Sequence, residues 1–344
     1  MHPSVKRLRS DPAHRFPLPF YWVLFVAVAV SLLLVATSGF CAQALKTATF
    51  LPQWRPQAQF AGFYTAYEKG LYRKYGIDVT VLRGGPDRPA GAALAARQAD
   101  FVTLFLSEAV QVRDKGVRLI NIGQLMQRSG FLLVAKAGSG IAAPRDLQGR
   151  KVSLWTSFQV QPLAFFRKYG IAVKPVVQGE TVNLFLRGGV DAASAMWYNE
   201  YYTILNSGLN EEDLTTFFLD RHGLNFPEDG IYVLEETFRR DRALCDAFVR
   251  ASLEGWQYAF DRPEEALDIV MAYVRKANVA TNRPHQRWML ARMRDLIGPK
   301  DPSVPMGVLP RQDFLTVAEE LHRAGLTGGV PSYGEFYVFG PAKP

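Results

Sequence analysis

Cysteine is nearly absent: Cys41 and Cys245 are the only two in 344 residues. That excludes a cysteine-rich metal centre and a disulfide framework. Histidine is almost as scarce, with His2, His14, His222, His285 and His322 far apart, so no His or Cys pair has metal-ligand spacing. There is no G-x-S-x-G elbow to carry a nucleophilic serine, and Ser107-Glu108 has no nearby partner to act as its base. Low-complexity tracts are missing too. The formal charge of +8 is scattered rather than clustered, which leaves no footprint for nucleic acid.

Only one long apolar run is present. Phe20 to Ala36, about 17 residues, follows Lys6, Arg7, Arg9 and Arg15, which is the layout of a secretory signal. A spanning helix needs roughly 20 apolar residues, so a membrane anchor through residues 20–36 is the alternative. Ala42-Gln43-Ala44 supplies a small-x-small cleavage pattern, placing a signal peptide at 1–44 and the mature start near Leu45. A lipoprotein reading through Cys41 is disfavoured by Phe40, which stands where a small residue is required. Cleavage removes those four cations and Asp11, lowering the formal charge from +8 to about +5. It leaves Cys245 as the remaining thiol, set among Leu244, Phe248 and Val249 as core filler.

The rest alternates strand and helix patterns. Residues 47–51, 77–81, 100–104, 117–123 and 131–136 read as strands, and a helix over 57–69 carries Phe60, Phe63, Tyr64 and Tyr67 on one face, closed by Gly70. Ser107 is placed to cap the next helix. A second strand-helix series opens near Lys151, with strands at 151–154, 173–178 and 190–195. The two series share a plan: Arg97 to Val102 and Gly188 to Ala193 both read as helix end, aspartate, apolar strand. Seven residues past each aspartate stand Ser107 and Tyr198, and Trp54 and Trp155 follow the first strand of each series. Two lobes would thus present a tryptophan and a polar cluster to a shared cleft. After the return strand 231–234, helices are expected over 241–260 and 261–275, the latter with an Asp261/Glu264 capping box, and one more over 312–323.

The richest stretch is Val190 to Leu205. A buried strand ends in Met196, Trp197, Tyr198, Asn199, Glu200, Tyr201 and Tyr202, and open α/β sheets bind ligands outside the carboxyl ends of their strands. Single aromatics here are the ordinary core face of a helix, but Asn199-Glu200 among them needs partners. A flat heteroaromatic fits the residue types: the tryptophans can stack, Glu200 accepts, and Asn199 both donates and accepts. An organic anion would instead need cations such as Arg55 or Arg83, and Glu200 would repel it. Glu200 with Glu228 or Asp229 could form a carboxylate pair, which the spacing does not require.

The segments FAGFYTAYEKGLYRKYGIDVTV, DLQGRKV, LFLRGGVDAASAMWYNEYYTIL and PEDGIYVLEETFRRDRALCDAFV together resemble the superfamily of sulfonate-binding and thiamine-pyrimidine-synthase-like proteins over roughly residues 47–295. Within it the chain is most similar to periplasmic proteins that bind thiamine pyrimidine precursors. The resemblance implies a type II periplasmic-binding α/β fold, with two Rossmann-like lobes, a hinge and a central cleft. Lobe 1 would comprise 45–135 and 230–300, lobe 2 would be 136–229, and 301–344 would extend lobe 1. The crossings fall near Val134-Ala135-Lys136 and Asp229-Gly230-Ile231. It implies ligand contacts from Trp54, Trp197, Asn199 and Glu200, to which the reading of the residues adds Ser107, Trp155, Tyr198 and Asp229; an exported monomer without cofactor is expected, with an ABC permease of the inner membrane as partner. The enzymatic branch uses pyridoxal phosphate, iron, a sacrificial histidine and a CCCFC motif. This chain lacks that motif and has no histidine early in the first lobe.

Overall fold

Short alternating or fully apolar runs form ten strands that sort into two sheets in the computed structural model, which describes residues 44–298 and 304–340. The segment Phe20 to Ala36, and with it the choice between leader and anchor, lies outside the described residues. The strands are β1 Lys46–Leu51, β2 Ile77–Val81, β3 Phe101–Phe105, β4 Leu119–Gln124, β5 Phe131–Lys136, β6 Lys151–Leu154, β7 Lys174–Val177, β8 Ala192–Met196, β9 Leu214–Phe218 and β10 Asp229–Leu234. The first sheet has the order β2-β1-β3-β10-β4 and the second β7-β6-β8-β5-β9. In each, the first three strands are parallel, and one strand, β10 or β5, runs antiparallel between its neighbours. The repeat read from the sequence is this shared plan.

Sheet membership moves both crossings. Val134, Ala135 and Lys136 lie inside β5, paired with β8 and β9, so the chain leaves the first sheet between Gln124 and Phe131. Asp229, Gly230 and Ile231 are already in β10, so the return precedes them. The apolar runs on both sides of each crossing look alike in sequence, and the charges and the proline inside the crossings, Arg128, Asp220, Arg221, Pro227 and Glu228, do not by themselves mark a change of sheet.

Helices flank the sheets: α1 Ala61–Glu68, α2 Leu106–Asp114, α3 Val160–Tyr169, α4 Glu200–Leu205, α5 Arg242–Asp261, α6 Pro263–Lys276, α7 Arg283–Ile297, α8 Arg311–Arg323 and α9 Tyr333–Phe336. Along α1 and the turn before it, Phe60, Phe63 and Tyr64 are buried while Tyr67 is exposed; Gly70 follows at φ 67°, the left-handed turn that glycine permits. Helix α5 crosses α1 at glycines. A Cβ on Gly62 would stand 2.2 Å from the Trp256 ring, and one on Gly255 2.2 Å from the Gly62 carbonyl. Asp241 caps α5 by accepting from the Leu244 amide at 3.0 Å. The expected Asp261 box does not form: Asp261 ends α5, Arg262 is the cap residue of α6, and Glu264 pairs with Arg283 and Arg287.

The C-terminal segment does more than extend the first sheet's side. Helix α8 packs on both α2 and α3, and Arg167 of α3 pairs with Glu320 of α8. On another side, Trp288 of α7 donates its indole N–H to the Trp197 carbonyl at 2.9 Å. Among the described residues no helix is long and apolar enough to cross a membrane.

Candidate functional site

Strand ends from both sheets converge on one cavity. Phe105 ends β3 and Ser107 sits in the first turn of α2; Phe131 opens β5; Ser157, Phe158, Val160 and Gln161 follow β6; Met196 ends β8; Phe226 and Glu228 precede β10. This is the place where an open α/β sheet presents loop residues to a ligand. Phe105 and Phe158 meet from opposite sheets with ring centroids 4.9 Å apart. The enclosed volume is about 10 Å³, room for about one water, so a ring enters only when the two sides separate. Among the described residues, no lysine or arginine lines this cavity.

Its polar end is Glu228, which is 2% exposed. The carboxylate accepts from Ser129 Oγ at 2.8 Å and from the Gly130 amide at 3.0 and 3.2 Å. Gln161 Nε2 donates to Ser129 Oγ at 3.0 Å and to the Leu224 carbonyl at 2.8 Å. Asn225 joins the same seam, accepting from the Ser129 amide at 2.8 Å and donating to the Gln127 carbonyl at 3.0 Å. Burial pushes Glu228 up to about 8, against the hydrogen bonds from Ser129 and Gly130. Charge without a cation partner is costly in such surroundings.

Asp229 points elsewhere. It accepts from Gln53 and, at 2.7 Å, from Gln59 Nε2, and burial raises it to about 7. The partly buried Glu108 is raised to about 7 as well, by burial and then by the charge of Asp229.

Of the ligand contacts expected from the sequence, Ser107 lines the cavity, although it does not cap α2, whose cap residue is Phe105. Trp155 backs it, edge-on to Phe131 at 5.6 Å and to Phe158 at 6.4 Å, with its indole N–H on the Gly179 carbonyl. Tyr198 is buried against Gly130. Trp197 lies on the other face of β8, edge-on to Phe218 and beneath the Arg292 guanidinium at 4.6 Å. Glu200 accepts from the Met196 amide at 3.0 Å and from Asn199 Nδ2 at 2.8 Å; burial raises it to about 7. These two residues thus tie off the exit of β8 and supply each other's partner. Trp54 lies at the exit of β1 with Arg55 over its ring at 5.7 Å.

The two candidate anion ligands are both engaged. Arg55 forms a two-bond pair with Glu180 across the sheets, at 3.0 and 3.2 Å, and Arg83 pairs with Asp87 of its own loop. Sequence reasoning did not single out Phe131, Phe158, Gln161, Met196 and Glu228 as lining the cavity. Met196 and Glu228 adjoin residues it named, and the two-residue alternation of a strand was the available signal. Among the described residues no group of three or more His, Cys, Asp or Glu is placed to hold a metal ion.

A family described as NMT1/THI5 like matches residues 57–266. The chain is 25% identical over 252 residues to the riboflavin-binding protein RibY of Chloroflexus aurantiacus, covering 68% of each. It is 21% identical over 255 residues to the formylaminopyrimidine-binding protein of Halalkalibacterium halodurans, covering 69% of this chain and 73% of that one. Among solved structures, the periplasmic aliphatic sulphonate binding protein SsuA of Escherichia coli superposes with a TM-score of 0.66 at 15% identity, over 83% of this chain and 95% of that one. The fold is that of periplasmic binding proteins.

Proposed function

The chain belongs to the NMT1/THI5-like family, and from that premise we propose that it is the periplasmic solute-binding component of an ABC importer for a small planar heteroaromatic of the thiamine-pyrimidine type. The observation that carries the ligand class is the cavity's make-up: a buried carboxylate, an amide and two hydroxyls among phenylalanines, with no cation. Glu228 accepts ring or exocyclic N–H groups, while Phe131 and Phe158 cover the ring faces. A sulfonate would meet Glu228 without a counter-charge. The riboflavin and formylaminopyrimidine named for two relatives are flat nitrogen heterocycles, in keeping with this class.

In this reading the lobes open to admit the ring and close over it, since the closed cavity has only about 10 Å³. The ligand favours the closed form by its differential affinity, and the permease reads that form. The protein works as an exported monomer. The test is calorimetric titration with 4-amino-5-hydroxymethyl-2-methylpyrimidine, riboflavin and an alkanesulfonate, each paired with a thermal melt. Binding at 100 times Kd adds about 2.7 kcal/mol of stability, a clear rise in Tm for the heteroaromatic. Tight sulfonate binding with no response to either ring compound would refute the proposal.

A further inference from the structure

The reading above assigns Glu228 to the ligand, yet most of its geometry concerns the chain crossings. Ser129 and Gly130 belong to the outward crossing and Glu228 to the return one, and their side-chain and backbone bonds hold the two side by side. Gln161, a cavity-lining residue of the second lobe, reaches the same point through Ser129 and Leu224. Asn225 closes the seam from below, and the Glu228 carbonyl accepts from Gln124 Nε2 at 2.8 Å. One carboxylate therefore faces the cavity and fastens the hinge. All its protein donors are neutral, and two donors leave acceptor capacity for another.

Resting on the proposed binding function, we infer that Glu228 is the positioning residue that couples ligand occupancy to hinge closure: a ligand N–H completes the carboxylate's bonding only when Ser129 and Gly130 hold the two crossings together. Hydrogen bonds that share one buried carboxyl group polarise one another in a low-dielectric site, so the ligand bond and the hinge bonds form as a unit. Ser129 acts through Glu228 and does not line the cavity.

The experiment compares wild type with Glu228→Gln, Ser129→Ala and Phe158→Ala by calorimetry and small-angle X-ray scattering. The probe is 4-amino-5-hydroxymethyl-2-methylpyrimidine or riboflavin, whichever binds wild type. Glu228→Gln should lose tenfold or more in affinity and compact incompletely even at saturation. Ser129→Ala keeps the carboxylate but loses its hinge bond, so it should bind more weakly than wild type, though less so than Glu228→Gln, and show the same incomplete compaction. Phe158→Ala should bind more weakly but close fully once saturated. Full compaction of both Glu228→Gln and Ser129→Ala would overturn the coupling while leaving the binding function intact. If neither compound binds wild type, the proposed ligand class fails, and the inference then stands or falls on the unliganded radii: larger in both hinge variants supports it, equal to wild type overturns it.

Discussion

Glu228, Asp229, Glu108 and Glu200 are held in the range of about 7 to 8 by burial, and this fixes the sign of the protein's pH response. Each binds its proton more tightly folded than unfolded, so stability falls as pH rises from the ordinary carboxylate range to about 8 and then levels. His222 and His285 are pushed below their ordinary 6.5 by burial and act in the opposite direction, but only as pH drops below 6.5. Between pH 6.5 and 8 the carboxylates alone decide, and Tm should decline across that window. Glu228→Gln should flatten the decline; an unchanged slope would remove Glu228 as its source. A second pair of substitutions separates ligand contact from core. Trp197→Ala should cost ~2–4 kcal/mol in urea unfolding and leave affinity within a few fold, whereas Phe158→Ala should do the reverse. The sequence showed that the exit of β8 was rich in candidates. It did not show which face each took, because neighbouring strand residues point to opposite sides: Met196 faces the cavity, and Trp197 faces Phe218 and Arg292. The same one-residue step separates Glu228 from Asp229.

Where two elements approach closely, small residues carry the argument. Helices α1 and α5 meet at Gly62 and Gly255, and a Cβ on Gly255 would stand 2.2 Å from the Gly62 carbonyl and 2.7 Å from Ala66 Cβ. Backbone cannot yield there as a flexible side chain does, so Gly255→Ala should destabilise by ~1–3 kcal/mol or more, read as a lower urea midpoint at unchanged slope. Elements of this kind were legible before any coordinates: the i, i+3, i+4 spacing of Phe60, Phe63 and Tyr64 and the apolar runs of the strands mark what is buried. Boundaries were less so. Asp261 and Glu264 have the spacing of a capping box, yet α5 runs on through Asp261, and Glu264 is drawn away by Arg283 and Arg287. Such long-range pairing leaves no local trace in the sequence.

At the scale of the molecule, charged pairs brace the lobes on separate sides. Arg55 meets Glu180, and Arg167 meets Glu320. The Arg55 and Glu180 side chains are 37% and 62% exposed, so the pair contributes at most about 1 kcal/mol. Glu180→Gln should therefore speed ligand release by no more than about fivefold, and raised salt should do the same to wild type but not to the variant; stopped-flow displacement reads both. The two-sheet plan was visible in the sequence as a repeated strand-helix series. The bracing was not, since Glu320 and Trp288 come from a tail that carries no copy of that repeat.

The interleaving of β10 also dictates an order of events during synthesis. The second sheet draws all its strands from the unbroken stretch Phe131 to Phe218, whereas the first needs β10 between β3 and β4. Until Asp229 to Leu234 emerges, those two strands have no partner on their facing edges, and joining them closes a loop that already contains the whole second sheet. The nascent chain thus carries open, apolar strand edges until β10 arrives. The sheet that begins first is therefore the one that finishes last.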